Sequence, residues 1–117
     1  MKIANTTQAP CYAVIFTSLR FAKDNGYLAM SKKMIELAQK QDGCLGYESA
    51  REDLGITVSY WRNLESIKKW KENSTHLFAQ KQGKEKWYSA YKVRICKVEH
   101  DYEFTNNSQS YFDKFSQ

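Results

Sequence analysis

Trp70 and His76 are the residues on which chemistry in this chain would turn. Imidazole is the side chain whose unperturbed titration lies near neutral pH, so His76 is a candidate proton shuttle or hydrogen-bond donor to a bound phenolic or quinone oxygen. Trp70 offers a flat wall for the same molecule. Six residues of continuous helix turn through about 600°, so the two share a face only approximately, and a break at Asn73-Ser74, where two poor helix formers meet, would alter that relation. Each also has a plain structural reading, Trp70 as core packing and His76 as a half-buried histidine with a satisfied hydrogen bond. The surrounding stretch from Gly55 to Tyr91 holds all three tryptophans, Trp61, Trp70 and Trp87. Tyr60, Trp61 and Phe78 are the expected pocket walls, and Arg94 is a candidate substrate clamp or a structural partner of Glu48 across the sheet.

Other chemistries find no footing. His76 and His100 are far apart, and no CxxC, HxxxH or HExxH spacing occurs, so no zinc or non-haem iron site is expected. The five glycines form no phosphate-cradling loop, and there is no nucleophile elbow. Cys11, Cys44 and Cys96 lie in or beside apolar runs without paired spacing and read as buried, reduced thiols. The net charge of +5 comes from lysines dispersed among Glu, Gln and Asn, which is a solvated helix surface rather than a nucleic-acid stripe. No apolar run is long enough to span a bilayer, and the first residues carry no signal-peptide pattern, so a cytoplasmic protein is expected.

The elements that would position these residues follow from periodicity. Cys11 to Thr17 is a strand apolar in both alternating sets, so both of its faces must be covered. Asp24 and Asn25 can cap a helix bearing Tyr27, Met30, Met34, Leu37 and Ala38 at helical spacing, with Gly43 closing it. Leu45–Arg51 and Ile56–Arg62 read as a hairpin, Asn63 as the cap of a second helical stretch, and about Tyr88 to Phe104 as a long last strand. The order βαββαβ is that of a ferredoxin-like α+β unit with an antiparallel sheet. Two helices cover one sheet face, so a homodimer with two sheets packed face to face as a barrel is expected. The divisions are an N-terminal arm (1–9), a ferredoxin-fold domain (10–104) and a C-terminal tail (105–117) whose Tyr111, Phe112 and Phe115 cluster near the end.

PCYAVIFTSLR, QDGCLGYESARED and YKVRICKVEHDYEF, in this order around the Gly55–Tyr91 stretch, resemble the antibiotic biosynthesis monooxygenase superfamily, whose members are dimeric α+β barrels. In members that oxygenate polycyclic aromatics without metal or flavin, the second helix carries a tryptophan with an asparagine one turn before it and, in some, a tyrosine beyond. Trp70 matches the tryptophan, Ser66 stands at the asparagine position, and His76 replaces the tyrosine. The resemblance thus implies Trp70, His76 and Ser66 as catalytic residues, with a small aromatic molecule and dioxygen as reactants and no cofactor. The haem-degrading branch needs an asparagine on the first strand and a histidine more than two turns beyond the tryptophan. Gln80 and Gln82 stand near that place, so the haem triad is not met. Two functions stay open, a cofactor-independent monooxygenase and a non-catalytic dimeric ligand-binding or stress-related module.

Overall fold

A computed structural model of the chain describes residues 3–6 and 9–106. The four strands β1 (Cys11–Arg20), β2 (Cys44–Arg51), β3 (Gly55–Trp61) and β4 (Tyr88–Val98) form one sheet in the order β2-β3-β1-β4. Every neighbouring pair is antiparallel. With α1 (Tyr27–Gln39), α2 (Leu64–Glu72) and α3 (Ser74–Gln82), this is the expected ferredoxin-like α+β fold.

Register decides which residues face the helices. Val14 pairs with Ser59 and Ile95, Phe16 with Thr57 and Val93, and Ser18 with Gly55 and Tyr91. These rows lie on the helix side. Ile15, Val58, Glu48 and Arg94 make one row of the opposite face, because a pleated strand alternates its side chains. Tyr91, Val93 and Ile95 belong to the helix side, and β4 presents Lys92, Arg94 and Cys96 on the far face beside Ala13 and Ile15. One expectation changes here. Glu48 and Arg94 share a row, but β2 and β4 are the two edges of the sheet, so the pair cannot meet within one chain. Glu48 instead accepts from the Tyr60 hydroxyl and from the backbone N–H of Ala4, which draws residues 3–6 across the far face.

Local signals explain the helices. Asp24 accepts from the N–H groups of Gly26 and Leu28 at the start of α1, and Asn63 accepts from Ser66 N–H at the start of α2. Gly43 has φ +89° and lies so close to Ser66 that a Cβ there would collide with the serine side chain. The second helical stretch is two helices: Asn73, with φ −59° and ψ 130°, ends α2 and begins α3. The last strand stops at Val98, six residues before Phe104, where the chain leaves the sheet. Among the thiols, Cys11 is buried, Cys44 is half-buried and Cys96 is exposed because it sits on an edge strand. Tyr111, Phe112 and Phe115 of the tail lie outside the described residues. Among the described residues no helix is long and apolar enough to cross a membrane.

Candidate active site

The space between helices and sheet is not filled. A cavity of about 520 Å³ lies there, with Met30, Met34 and Ala38 of α1 as its roof and Val14, Phe16 and Ile95 of the sheet as its floor. This is why the amphipathic α1 has no buried residue: its apolar stripe faces a cavity instead of close-packed sheet. Such a volume, largely apolar in lining, suits a small organic ligand.

At one end three rings stack in parallel. Trp61, fully buried, donates its indole N–H to Ser59 Oγ at 2.9 Å and lies 6.3 Å from Trp70 at 25°. Trp70 in turn lies 4.5 Å from His76 at 10°. Both Trp70 and His76 line the cavity. A continuous helix would hold these two residues on different faces, and Asn73 is what brings them together. Its N–H bonds the Trp70 carbonyl at 3.1 Å, while its side-chain oxygen accepts from the N–H groups of Thr75 and His76, restarting the helix in a new direction.

His76 Nδ1 lies 3.1 Å from the Trp70 carbonyl oxygen. A carbonyl only accepts, so Nδ1 carries the proton and Nε2 is the basic nitrogen of the neutral ring. Burial holds the His76 pKa below the ordinary value; the Trp70 carbonyl opposes this and the Lys71 charge adds to it. The ring is therefore a neutral base at physiological pH. Cys44 also lines the cavity, but burial raises its thiol pKa and keeps it protonated and unreactive.

The other end is built from Phe16, Tyr27, Tyr88 and Tyr91, whose rings meet mostly edge to face at 5.2–5.9 Å. Burial, then the neighbouring Tyr27, pushes the Tyr88 hydroxyl well above the ordinary tyrosine value. Arg51 reaches into this end from β2 and is held by the carbonyl and hydroxyl of Ser18, itself 2% exposed.

The remaining sequence-derived candidates sit elsewhere. Trp61 lies behind Trp70 and does not border the cavity. Tyr60 and Arg94 point to the far face, one residue out of phase with the cavity rows, and burial together with Glu48 pushes the Tyr60 pKa up to about 12. Phe78 is 51% exposed, since the turn at Asn73 rotates α3 relative to the face that a continuous helix would have used. Ser66 is buried against Gly43 and donates to Asn63 Oδ1, which makes it part of a helix cap outside the cavity lining. Asn73, Arg51, Tyr27 and Tyr88 were not singled out from sequence as site residues. The Asn-Ser-Thr run was the signal for the cap, whereas nothing local marked Arg51.

Residues 16–105 match the family described as monooxygenase af470-like. The chain is 40% identical over 108 residues to the uncharacterized protein YqjZ of Bacillus subtilis, covering 91% of this chain and 95% of that protein. Among solved structures it is similar in fold to Rv0793 of Mycobacterium tuberculosis, with TM-score 0.70, 16% identity, and 80% and 99% of the two chains covered. It is similar also to a variant of SnoaB, a cofactor-independent oxygenase of Streptomyces nogalater, with TM-score 0.69, 7% identity, and 80% and 97% covered.

Proposed function

Because the chain belongs to the monooxygenase af470-like family and is similar in fold to a cofactor-independent oxygenase, we propose that it oxygenates a small aromatic or quinone-like molecule with dioxygen and no cofactor. The observation that carries this reading is the His76 tautomer. Its Nδ1–H is committed to the Trp70 carbonyl, so the basic Nε2 of a cavity-lining ring is the atom left to take a proton.

The chemistry then needs only the substrate's own π system. His76 removes a proton from an acidic C–H beside a ring carbonyl, and the resulting carbanion, delocalised over the rings, passes one electron to dioxygen. Recombination forms a C–O bond as a peroxide, which takes up the proton. Loss of water leaves a carbonyl, so a CH₂ group and O₂ become C=O and H₂O. Trp70, held between Trp61 and His76, fixes the plane of the imidazole ring.

We further propose that the chain works as a homodimer, a second copy covering the far sheet face around Ile15 and Val58 and burying well above ~1,000 Å² in total. Sedimentation showing a stable folded monomer at micromolar concentration removes the dimer. For the activity, anthrone serves as the probe because it is a flat carbon acid whose methylene is oxidised to a carbonyl. The expected result is protein-dependent uptake of one O₂ per quinone formed, unchanged by chelator. Binding of anthrone without accelerated oxygen uptake would instead favour a non-catalytic ligand-binding module.

A further inference from the structure

Three cationic side chains, Arg51, Lys71 and Lys84, border the cavity, and among the described residues no aspartate or glutamate lines it. A pocket with uncompensated positive charge favours an anion, and the more so where apolar walls weaken screening by water. All three are exposed, and the two lysines sit on helical segments. Arg51 differs because its place is fixed.

Its guanidinium bonds both the carbonyl and the hydroxyl of Ser18 and lies across Gly55, where a Cβ would occupy the guanidinium's own space. Glycine at that position is what lets the side chain lie over β3 and reach Ser18 of β1. Two of the five guanidinium N–H groups are engaged by Ser18, and among the described residues no carboxylate pairs with Arg51. Among the described residues the other N–H groups have no partner, and they form a rigid fork whose geometry matches a carboxylate.

We infer that the substrate carries a carboxylate on its aromatic body, and that Arg51 is the residue that binds this group while the reacting carbon lies at His76. The placement is consistent with one elongated ligand. Gly55, beside Arg51, and Ser59, which holds the Trp61 indole, are four residues apart on β3, or roughly 13 Å at about 3.3 Å per residue. That span leaves room for fused rings between the anchoring charge and the base. The inference rests on the reading of the cavity as a substrate site.

Equilibrium dialysis of hydroxynaphthoate and of its methyl ester tests it, because the two share a ring system and differ in charge. The wild-type chain is expected to bind the acid about tenfold or more tightly than the ester. Arg51→Gln is expected to erase that preference while moving the ester's Kd less than twofold, and Arg51→Lys to retain part of it. Lys71→Gln and Lys84→Gln are expected to change the preference less than twofold. Equal affinities of the wild type for the two compounds overturn the inference but leave the cavity as a ligand site. So does an Arg51→Gln variant that weakens both compounds equally and melts earlier, since Arg51 is then a brace for Ser18. Lysine variants that reproduce the full effect overturn it as well. If neither compound binds, the cavity reading falls and this inference with it.

Discussion

The two ends of the cavity are both aromatic, yet they are assembled in opposite ways. Trp61, Trp70 and His76 lie nearly parallel, with interplanar angles of 25° and 10°, whereas Tyr27 and Tyr88 meet at 89° and Phe16 and Tyr88 at 72°. Parallel stacking presents a flat face, which a planar ligand can extend. Edge-to-face packing closes on itself and leaves hydroxyls and a guanidinium as its functional groups. The contrast shows that aromatic content alone does not define a site; the polar group held against the rings does. At one end that group is a neutral base, and at the other it is a fixed cation.

The largest test of this contrast is mechanical. Trp61→Ala removes a fully buried ring under the stack and is expected to cost about 3–5 kcal/mol in denaturant unfolding. Tyr91→Ala at the other end, 36% exposed, should cost well under half of that. Equal costs would mean that the two ends are one core. Next in size, His76→Ala is expected to lower anthrone turnover by about 10²-fold or more, or ~2.7 kcal/mol, with the circular dichroism spectrum retained. Tyr88→Phe should leave turnover within about twofold. If both variants behave alike, the base is not at His76.

Asn73→Ala sharpens the same point from outside the cavity. Loss of its cap should cost about 1 kcal/mol of stability and also lower turnover, because the cap aims His76 at Trp70. Asn73→Asp, which keeps the accepting oxygen, should restore both; a variant with lost stability and full turnover would show that the break does not position the base.

The smallest effects are in pH. His76 titrates below its ordinary 6.5 in the folded chain, so the unfolded chain binds more protons there, and stability should decline as pH falls from about 6.5 through the depressed value. Turnover should hold at neutral pH and fall only below it. Tyr88 is shifted the other way from 10.0, so its contribution is present below that pH and lost as pH rises through the higher folded value. His76→Gln should flatten the acid limb of the stability curve and Tyr88→Phe the alkaline limb; a swap of the two would contradict the assignment of the ends.

Much of the architecture was legible in residue order. The apolar pattern of Cys11 to Thr17 marked a strand, and β1 runs Cys11–Arg20. Asn63 and Asp24 announced helix starts by the chemistry of short polar side chains. Trp70 and His76 could be named because their types are rare and chemically distinct. These are local properties, and local properties survive in a one-dimensional reading.

What the chain order alone left open was every relation that crosses between elements. Tyr60 and Ser59 are equally plausible in sequence, but β-strand phase sends Tyr60 to Glu48 on the far face and Ser59 to the Trp61 indole. Glu48 and Arg94 fall in one row, and strand order alone separates them to opposite edges. Arg51 looked like a hairpin-end residue until Gly55 and Ser18 turned it toward the cavity. The physical reason is common to all three. A strand's phase and a helix's bearing are set by whichever packing buries the most apolar surface, and a single turn such as Asn73 or a shift of one residue redirects every side chain that follows it.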